Sequence, residues 1–381
     1  MTTPLPRSEF AVTETYAYLN HAAVGVLPQT TKRAIDAFVD AQARAGVLGT
    51  FGYEARMDAY RARVGAFIGA GGDEIAMLRN TGDGATAIAN GIAWKDGDEM
   101  LLCADEFPSN AIPWLALARH GVNVRVLSTQ SERLTPDALR RAISPRTRAV
   151  SVSWVNFADG YRHDLAGLSE VTHGVHGIFA VDAIQGLGAF PLDVRALGID
   201  ALYASGAKWL LALQGVGFLY VAAELLGQLR VENPGWRSVE DMWDFLNYDQ
   251  PWIDNASRFE GGTPNFVGAL SLATSIDVID GAGTAAIGKH VLMLTDHLCE
   301  GLNRLGASVA SIRGDGCSSG IVTFEIPGFD SVALGRAMQH DDQVVTTWRP
   351  NGIRVAPHGY NDLEDIDRLL EALGRVVKKG T

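Results

Sequence analysis

Cysteine is scarce in this chain of 381 residues. Only Cys103, Cys299 and Cys317 occur, an odd number at wide spacing with no CxxC pair. A disulfide framework and a structural zinc site are therefore not expected, and no other metal-ligand spacing stands out. Positive charge is also in deficit, with 32 lysines and arginines against 44 aspartates and glutamates, a formal net charge of -12. That balance argues against nonspecific nucleic-acid binding but is compatible with a local basic pocket for a small anion. No apolar run approaches the length of a bilayer span, and the start, Met1-Thr2-Thr3-Pro4, lacks a basic segment followed by a sustained apolar one. The expectation is a cytoplasmic protein without a membrane partner. Repeats, low-complexity blocks and charge runs are absent too.

What is present is the composition of a folded globular protein, 47% hydrophobic and 20% charged. The length favours two domains or one large α/β unit. From about residue 73 to 221, short apolar runs alternate with helical patterns, as parallel strands joined by crossover helices require. Strands are expected at 99–103, 123–127, 148–152, 177–182, 201–203 and 217–221, with helices at 109–119, 135–143 and 165–174. Thr135-Pro136 supplies an N-cap followed by proline at the first helical position. Beyond the Gly261-Gly262-Thr263-Pro264 turn the pattern changes to long helices, roughly 266–279 and 284–305. A smaller mixed section follows, with strands near 321–325, 343–347 and 353–356 and a helix at 363–377.

Three segments in the α/β part suggest chemistry. The run Ile178-Phe179-Ala180-Val181-Asp182 reads as a buried strand delivering one carboxylate at its C-terminal end, where open α/β sheets bind ligands. In Ser205-Gly206-Ala207-Lys208-Trp209 a single lysine stands among small and apolar residues. Desolvation disfavours its ammonium form and can make it a nucleophilic amine able to form a Schiff base. The turn Asn80-Thr81-Gly82-Asp83-Gly84 opens a helical pattern, and a helix N-terminus with small residues suits a phosphate. Each segment alone has an ordinary structural reading: a turn cap, a snorkelling lysine, a capped helix. Together they match what a pyridoxal cofactor needs, namely a phosphate cradle, a Schiff-base lysine and a carboxylate facing the pyridine nitrogen.

Longer motifs agree. Asn20-His21-Ala22-Ala23, Glu106-Phe107-Pro108-Ser109-Asn110, Gly160-Tyr161-Arg162-His163-Asp164-Leu165, Val181-Asp182-Ala183-Ile184-Gln185, Ser205-Gly206-Ala207-Lys208-Trp209, Arg258-Phe259-Glu260-Gly261-Gly262-Thr263-Pro264-Asn265 and Ile353-Arg354-Val355-Ala356-Pro357-His358-Gly359-Tyr360-Asn361 resemble, in order, the motifs of the class V aminotransferase and cysteine desulfurase family. The resemblance implies an α/β protein of fold type I. A large domain (16–282), with a mainly parallel sheet, would bind pyridoxal 5′-phosphate. A smaller C-terminal α+β domain (283–381) and an N-terminal arm (1–15) complete it. It also implies roles. Lys208 would carry the cofactor and move protons, Asp182 would face the pyridine nitrogen, and Gln185 would donate to the phenolic oxygen. Thr81, Gly82 and Ser205 would hold the phosphate, Phe107 would stack on the ring and Asn156 would lie near the phenolic oxygen. Arg354 would grip the substrate carboxylate, for which a rigid two-pronged cation is suited. Thr263 would reach the phosphate of a neighbouring subunit, making a homodimer.

The chain departs from the family pattern twice. Ala207 stands where a histidine commonly precedes the lysine, and Val344-Val345-Thr346-Thr347-Trp348-Arg349-Pro350-Asn351-Gly352 has no cysteine where desulfurases place their nucleophile. Desulfuration by the usual route is therefore not expected. On these grounds transamination of an amino acid ranks narrowly first. A cysteine-independent C–S lyase or an epimerase shares every step up to the carbanion, and a fold that binds a metabolite without turnover is the reading from another class. Arg162, Arg349, His21 and His358 are candidates for a second polar group of the substrate, each with an equally good structural reading.

Overall fold

A computed structural model describes residues 2–127 and 133–380; Met1 and Thr381, the outermost positions of the two expected terminal regions, lie outside it with 128–132. The centre is a seven-stranded sheet. Its strands are β1 (Ile75–Leu78), β2 (Glu99–Cys103), β3 (Asn123–Leu127), β4 (Thr147–Ser153), β5 (Ile178–Asp182), β6 (Ala201–Ser205) and β7 (Gly217–Val221), in the order β1-β7-β6-β5-β4-β2-β3. Every residue of β2, β5, β6 and β7 is buried, because helices cover both faces. That is why these strands read as continuous apolar runs rather than as alternation. On one face the helix Thr81–Gly91 lies so close to β6 that a Cβ on Gly84 would come within 2.5 Å of the Tyr203 Cβ. Glycine there is a packing requirement.

Two features of the sheet differ from the expectation. β7 runs antiparallel to both neighbours, β6 and β1. It returns from β6 through residues 206–216, a connection too short to carry a crossover helix, so a parallel pairing was never available to it. β1 was not expected as a strand at all; at four residues on the sheet edge it offers too little periodicity to read.

The C-terminal part holds a four-stranded antiparallel sheet, Thr347–Arg349, Gly352–Val355, Val322–Glu325 and Ser308–Val309 in that order. The helices Thr284–Arg304, Ser331–Asp341 and Leu363–Gly380 accompany it. The single strand expected at 343–347 is instead two: Val344–Val345 pairs in parallel with Ala17–Tyr18, while Thr347–Arg349 joins the four-stranded sheet. The buried apolar side chains form two clusters. The larger fills the seven-stranded sheet and its helices and takes in Ile287, Val291, Ile321, Ala356 and Tyr360. The smaller lies under the C-terminal sheet and takes in Ala17 and Leu19 from the start of the chain. Among the described residues no single helix is long and apolar enough to cross a membrane.

Candidate active site

The loops at the C-terminal ends of β4, β5 and β6 converge on one region. β6 ends at Ser205, whose hydroxyl donates to the Val216 carbonyl at 3.2 Å, and Gly206 N–H donates to the same oxygen at 2.9 Å. The turn so closed carries Lys208. Leu211, three residues on, adopts a left-handed φ of 55°, a strained conformation for a branched side chain that the N–H bond to the Lys208 carbonyl helps to hold. From outside, Gly25 N–H donates to the Ala207 carbonyl at 2.7 Å, and a Cβ on Gly25 would collide with the Lys208 carbonyl. Lys208 Nζ lies 5.4 Å from the centroid of the Phe107 ring. Burial pulls the amine below the ordinary lysine range, Asp182 restores part of that, and the Arg354 guanidinium lowers it further.

Asp182 closes β5. Its Oδ1 accepts the Ile184 N–H at 3.0 Å, and burial pushes its pKa up despite that bond; Glu106 adds to the rise while Lys208 opposes it. Gln185, one turn on, is pinned at both ends: Nε2 donates to the Ala22 carbonyl at 3.0 Å and Oε1 accepts the Trp209 indole N–H at 2.9 Å. One amide hydrogen of Gln185 stays available.

At the N-terminus of the helix Thr81–Gly91, Asn80 is the cap, accepting the Asp83 N–H at 3.0 Å. The Thr81 hydroxyl is buried and has no hydrogen-bond partner. An unsatisfied buried hydroxyl costs about 1–3 kcal/mol, so this one is paired only when a ligand reaches it. Gly82 keeps the turn beside it narrow, since a Cβ there would come within 3.2 Å of the capping Asn80 Oδ1. These observations fit the phosphate of pyridoxal 5′-phosphate. Thr263 is exposed and lines a cavity of about 460 Å³ with Leu78, Arg79, Asp83 and Gly262, and neither Thr81 nor Gly82 lines that cavity.

Phe107 caps the helix Pro108–Ala116 and meets Phe157 edge to face, ring centroids 5.2 Å apart. Asn156 folds the following turn: Nδ2 donates to the Asp105 carbonyl at 3.0 Å and Oδ1 accepts the Ala158 N–H at 2.8 Å. Arg354 reaches this loop from the other sheet. Its Nη1 donates to the Phe157 carbonyl at 2.7 Å, its Nε is buried without a partner, and among the described residues no carboxylate lies within ion-pair distance. Burial, with Arg349 nearby, brings its pKa down to about 10. In a chain with an excess of acids, a buried guanidinium with no acid beside it among the described residues is unusual.

The remaining candidates separate cleanly. His21 is fully enclosed, bonded to the Ala356 carbonyl and the Tyr360 hydroxyl at 2.9 Å each, and His358 is bonded to the Trp209 carbonyl at 3.0 Å. Both are structural imidazoles whose nitrogens are spent within the protein, so neither recognises substrate. The Arg162 guanidinium lies over the Phe190 ring at 4.6 Å, and Arg349 is exposed at the tip of its strand. Cys103 is buried in β2 and its thiol is pushed up to about 12 by burial; Cys299 is half-buried on a helix. Two features escaped the sequence reading, the Phe157 carbonyl and Gly25. A backbone acceptor leaves no trace in side-chain identity, and a lone glycine has many reasons to exist.

Comparison with known proteins gives these features a family. The model of the aminotransferase class-V family matches residues 17–369. A probable cysteine desulfurase of Methanothermobacter thermautotrophicus is 28% identical, with 98% of each chain covered. An uncharacterized aminotransferase, YcbU, of Bacillus subtilis is 26% identical over 96% of each. The apo structure of a cysteine desulfurase from Thermococcus onnurineus NA1 superposes with a TM-score of 0.90 at 26% identity, covering 98% of this chain and 97% of that one. This chain belongs to the class V aminotransferase family and shares its fold type I architecture and its dependence on pyridoxal 5′-phosphate.

Proposed function

We propose that the protein cleaves the C–S bond of a sulfur-bearing amino acid by β-elimination, without a protein thiol taking up the sulfur. Transamination ranked first on sequence; the relatives named as cysteine desulfurases move C–S chemistry ahead of it. The observation that carries the reading is the segment 344–352, which precedes Arg354 and contains no cysteine. Cys103 and Cys299 are held in a strand and a helix, and Cys317, whose carbonyl accepts the Arg162 N–H, sits on a separate turn outside 344–352. In this reading the sulfur leaves with the product.

In this reading Arg354 fixes the substrate carboxylate, since its Nε has no other partner. Lys208 Nζ, lowered toward neutrality by burial, removes the α-proton and delivers a proton to the departing sulfur. Asp182 would hold a proton on the ring nitrogen, and Phe107 would cover the ring and exclude water. Thr81 and Gly82 would hold the phosphate with Ser205, and Gln185 the phenolic oxygen. Pyridoxal phosphate supplies, when bound, the electron sink for the pair left on the α-carbon.

The test is a panel of amino acids, cysteine and cystine included, scored for sulfide or persulfide, ammonia, keto acid, alanine and inverted enantiomer. Sulfur release with ammonia and a keto acid, needing no second keto acid, is expected. A variant with all three cysteines changed to alanine should keep at least half that rate. Alanine as the co-product of sulfide, or loss of activity in the cysteine-free variant, would restore the desulfurase route; keto acid formed only with a keto-acid acceptor would restore transamination.

We also infer a homodimer in which Thr263 reaches the neighbouring phosphate. Supporting it, Trp236, Trp243, Phe245, Leu246 and Tyr248 are exposed, and the rings of Trp236, Trp243 and Phe245 cluster at 5.8–6.2 Å. Exposed apolar patches of this kind mark interfaces. Arg237 N–H ties the segment to the Gly261 carbonyl at 3.1 Å, two residues before Thr263. Trp243→Glu should give monomers in sedimentation and release cofactor; a variant that sediments as a dimer counts against this surface.

A further inference from the structure

Beside Asp182 lies a second buried carboxylate for which the chemistry above has no use. Glu106 directly precedes Phe107 and is 9% exposed. Its Oε1 accepts the Ser153 N–H at 2.6 Å; its Oε2 accepts Asn110 Nδ2 at 2.8 Å and the Ser153 hydroxyl. All three donors are neutral, and among the described residues no cation lies within ion-pair distance of it.

The donors are themselves fastened to the strands flanking Asp182. Ser153 lies directly across from Asp182 in the β4–β5 register, and Tyr203 lies across from it on β6. Asn110 Oδ1 accepts the Tyr203 hydroxyl at 2.6 Å and the Ser151 hydroxyl at 3.0 Å. A polar seam therefore runs from Glu106 through Asn110 to Tyr203, around the end of β5. The titratable groups facing Glu106 are Asp182 and Tyr203 across the sheet and Cys103 and Asp105 on its own segment; Lys208 stands beyond Asp182. A buried ionised carboxylate without a cation is costly. Burial raises its pKa, yet a glutamine would turn an NH2 toward Asn110 Nδ2 or the Ser153 N–H, both donors, so the seam is built for a carboxylate and sets it behind Asp182.

We propose that Glu106 is a positioning residue for the cofactor: a second fixed negative charge behind Asp182 that helps hold the proton on the ring nitrogen, and an anchor that sets Phe107 over the ring. Two anions on one side of the ring raise its affinity for a proton, and the cationic ring in turn neutralises a pair that is repulsive without it. Fastening the residue before Phe107 to β4 also fixes the height of the aromatic face above Lys208.

The experiment uses cofactor-loaded wild type, Glu106→Gln and Glu106→Asp with no substrate, so it is independent of which reaction the enzyme performs. The visible absorption is titrated against pH, cofactor retention is followed on dilution, and thermal unfolding is recorded. For Glu106→Gln the titration midpoint should move down by about one pH unit and cofactor release should rise about tenfold, a unit of acidity being a factor of ten, the thermal record separating these changes from loss of fold. Glu106→Asp, retaining the charge, should stay near the wild-type midpoint. An unchanged midpoint in Glu106→Gln, or equal shifts in both variants, overturns the proposal, since shape and not charge would then be what matters. If Glu106→Gln does not fold, Ser153→Ala removes one donor and should shift the midpoint the same way by a smaller amount; no shift there overturns it equally.

Discussion

Replacing Lys208 by alanine should lower turnover by on the order of 10^4-fold, the upper end of what a positioned proton-transfer group supplies, and abolish the lysine-dependent visible absorption of the purified protein. The expectation rests on geometry: Nζ is 5.4 Å from the Phe107 ring centroid and within the fields of both Asp182 and Arg354. No other lysine shares that position in the described residues. The same surroundings predict a pH dependence. Burial brings the amine down to about 8 from the 10.5 of ordinary lysine. A lowered value means that the amine is neutral, and so nucleophilic, above about pH 8 and protonated below it. Capture of added pyridoxal phosphate by cofactor-stripped protein should therefore speed up between pH 7 and 9 with a midpoint near 8. A midpoint near 10, or an alanine variant that keeps the wild-type spectrum, would remove Lys208 from the centre of the mechanism.

Arg354→Met should act in opposite directions on catalysis and on stability. Loss of a buried charged hydrogen-bonding partner costs about 2–5 kcal/mol, or roughly 30- to 5,000-fold in kcat/KM. The loss should be borne mainly by amino acids with a free carboxylate and much less by their amides. Yet the guanidinium is buried with its Nε unpaired and no acid beside it among the described residues, so its removal relieves desolvation. The unfolding midpoint should rise by roughly 2–4 °C. Lysine should not rescue activity, because its point charge lacks the two-pronged donor geometry. If methionine lowers the midpoint while sparing carboxylate selectivity, Arg354 is a structural residue and the substrate's anchor lies elsewhere.

Most of the sheet was legible because its strands are buried on both faces and separated by well-capped helices. Thr135, for example, caps its helix as expected, accepting the Ala138 N–H at 3.2 Å. What the sequence hid was direction and partner. Nothing in Gly217-Phe218-Leu219-Tyr220-Val221 says that the run is antiparallel; the short link after Ser205 could have said so. The segment 343–347 hid a change of partner at Thr346, where pairing passes from Ala17–Tyr18 to the C-terminal sheet. Long-range pairing of that kind depends on where the start of the chain arrives, and local pattern does not carry it. In the candidate site, Lys208, Asp182 and Arg354 were readable as linear motifs. The fate of His21 and His358 was not, because an enclosed imidazole and a ligand-binding one look alike until their acceptors are known.

The strand of contacts from Asn20 to Gly25 has a consequence for biosynthesis. Asn20 bridges to Ala356, Ala22 accepts from Gln185, and Gly25 grips the turn at Ala207. Residues more than three hundred positions apart thus meet at the lysine turn, and a ribosome-bound chain that has not yet emitted Ala356 lacks one side of that clamp. The pocket around the lysine turn therefore takes its final shape only after Ala356 has left the ribosome.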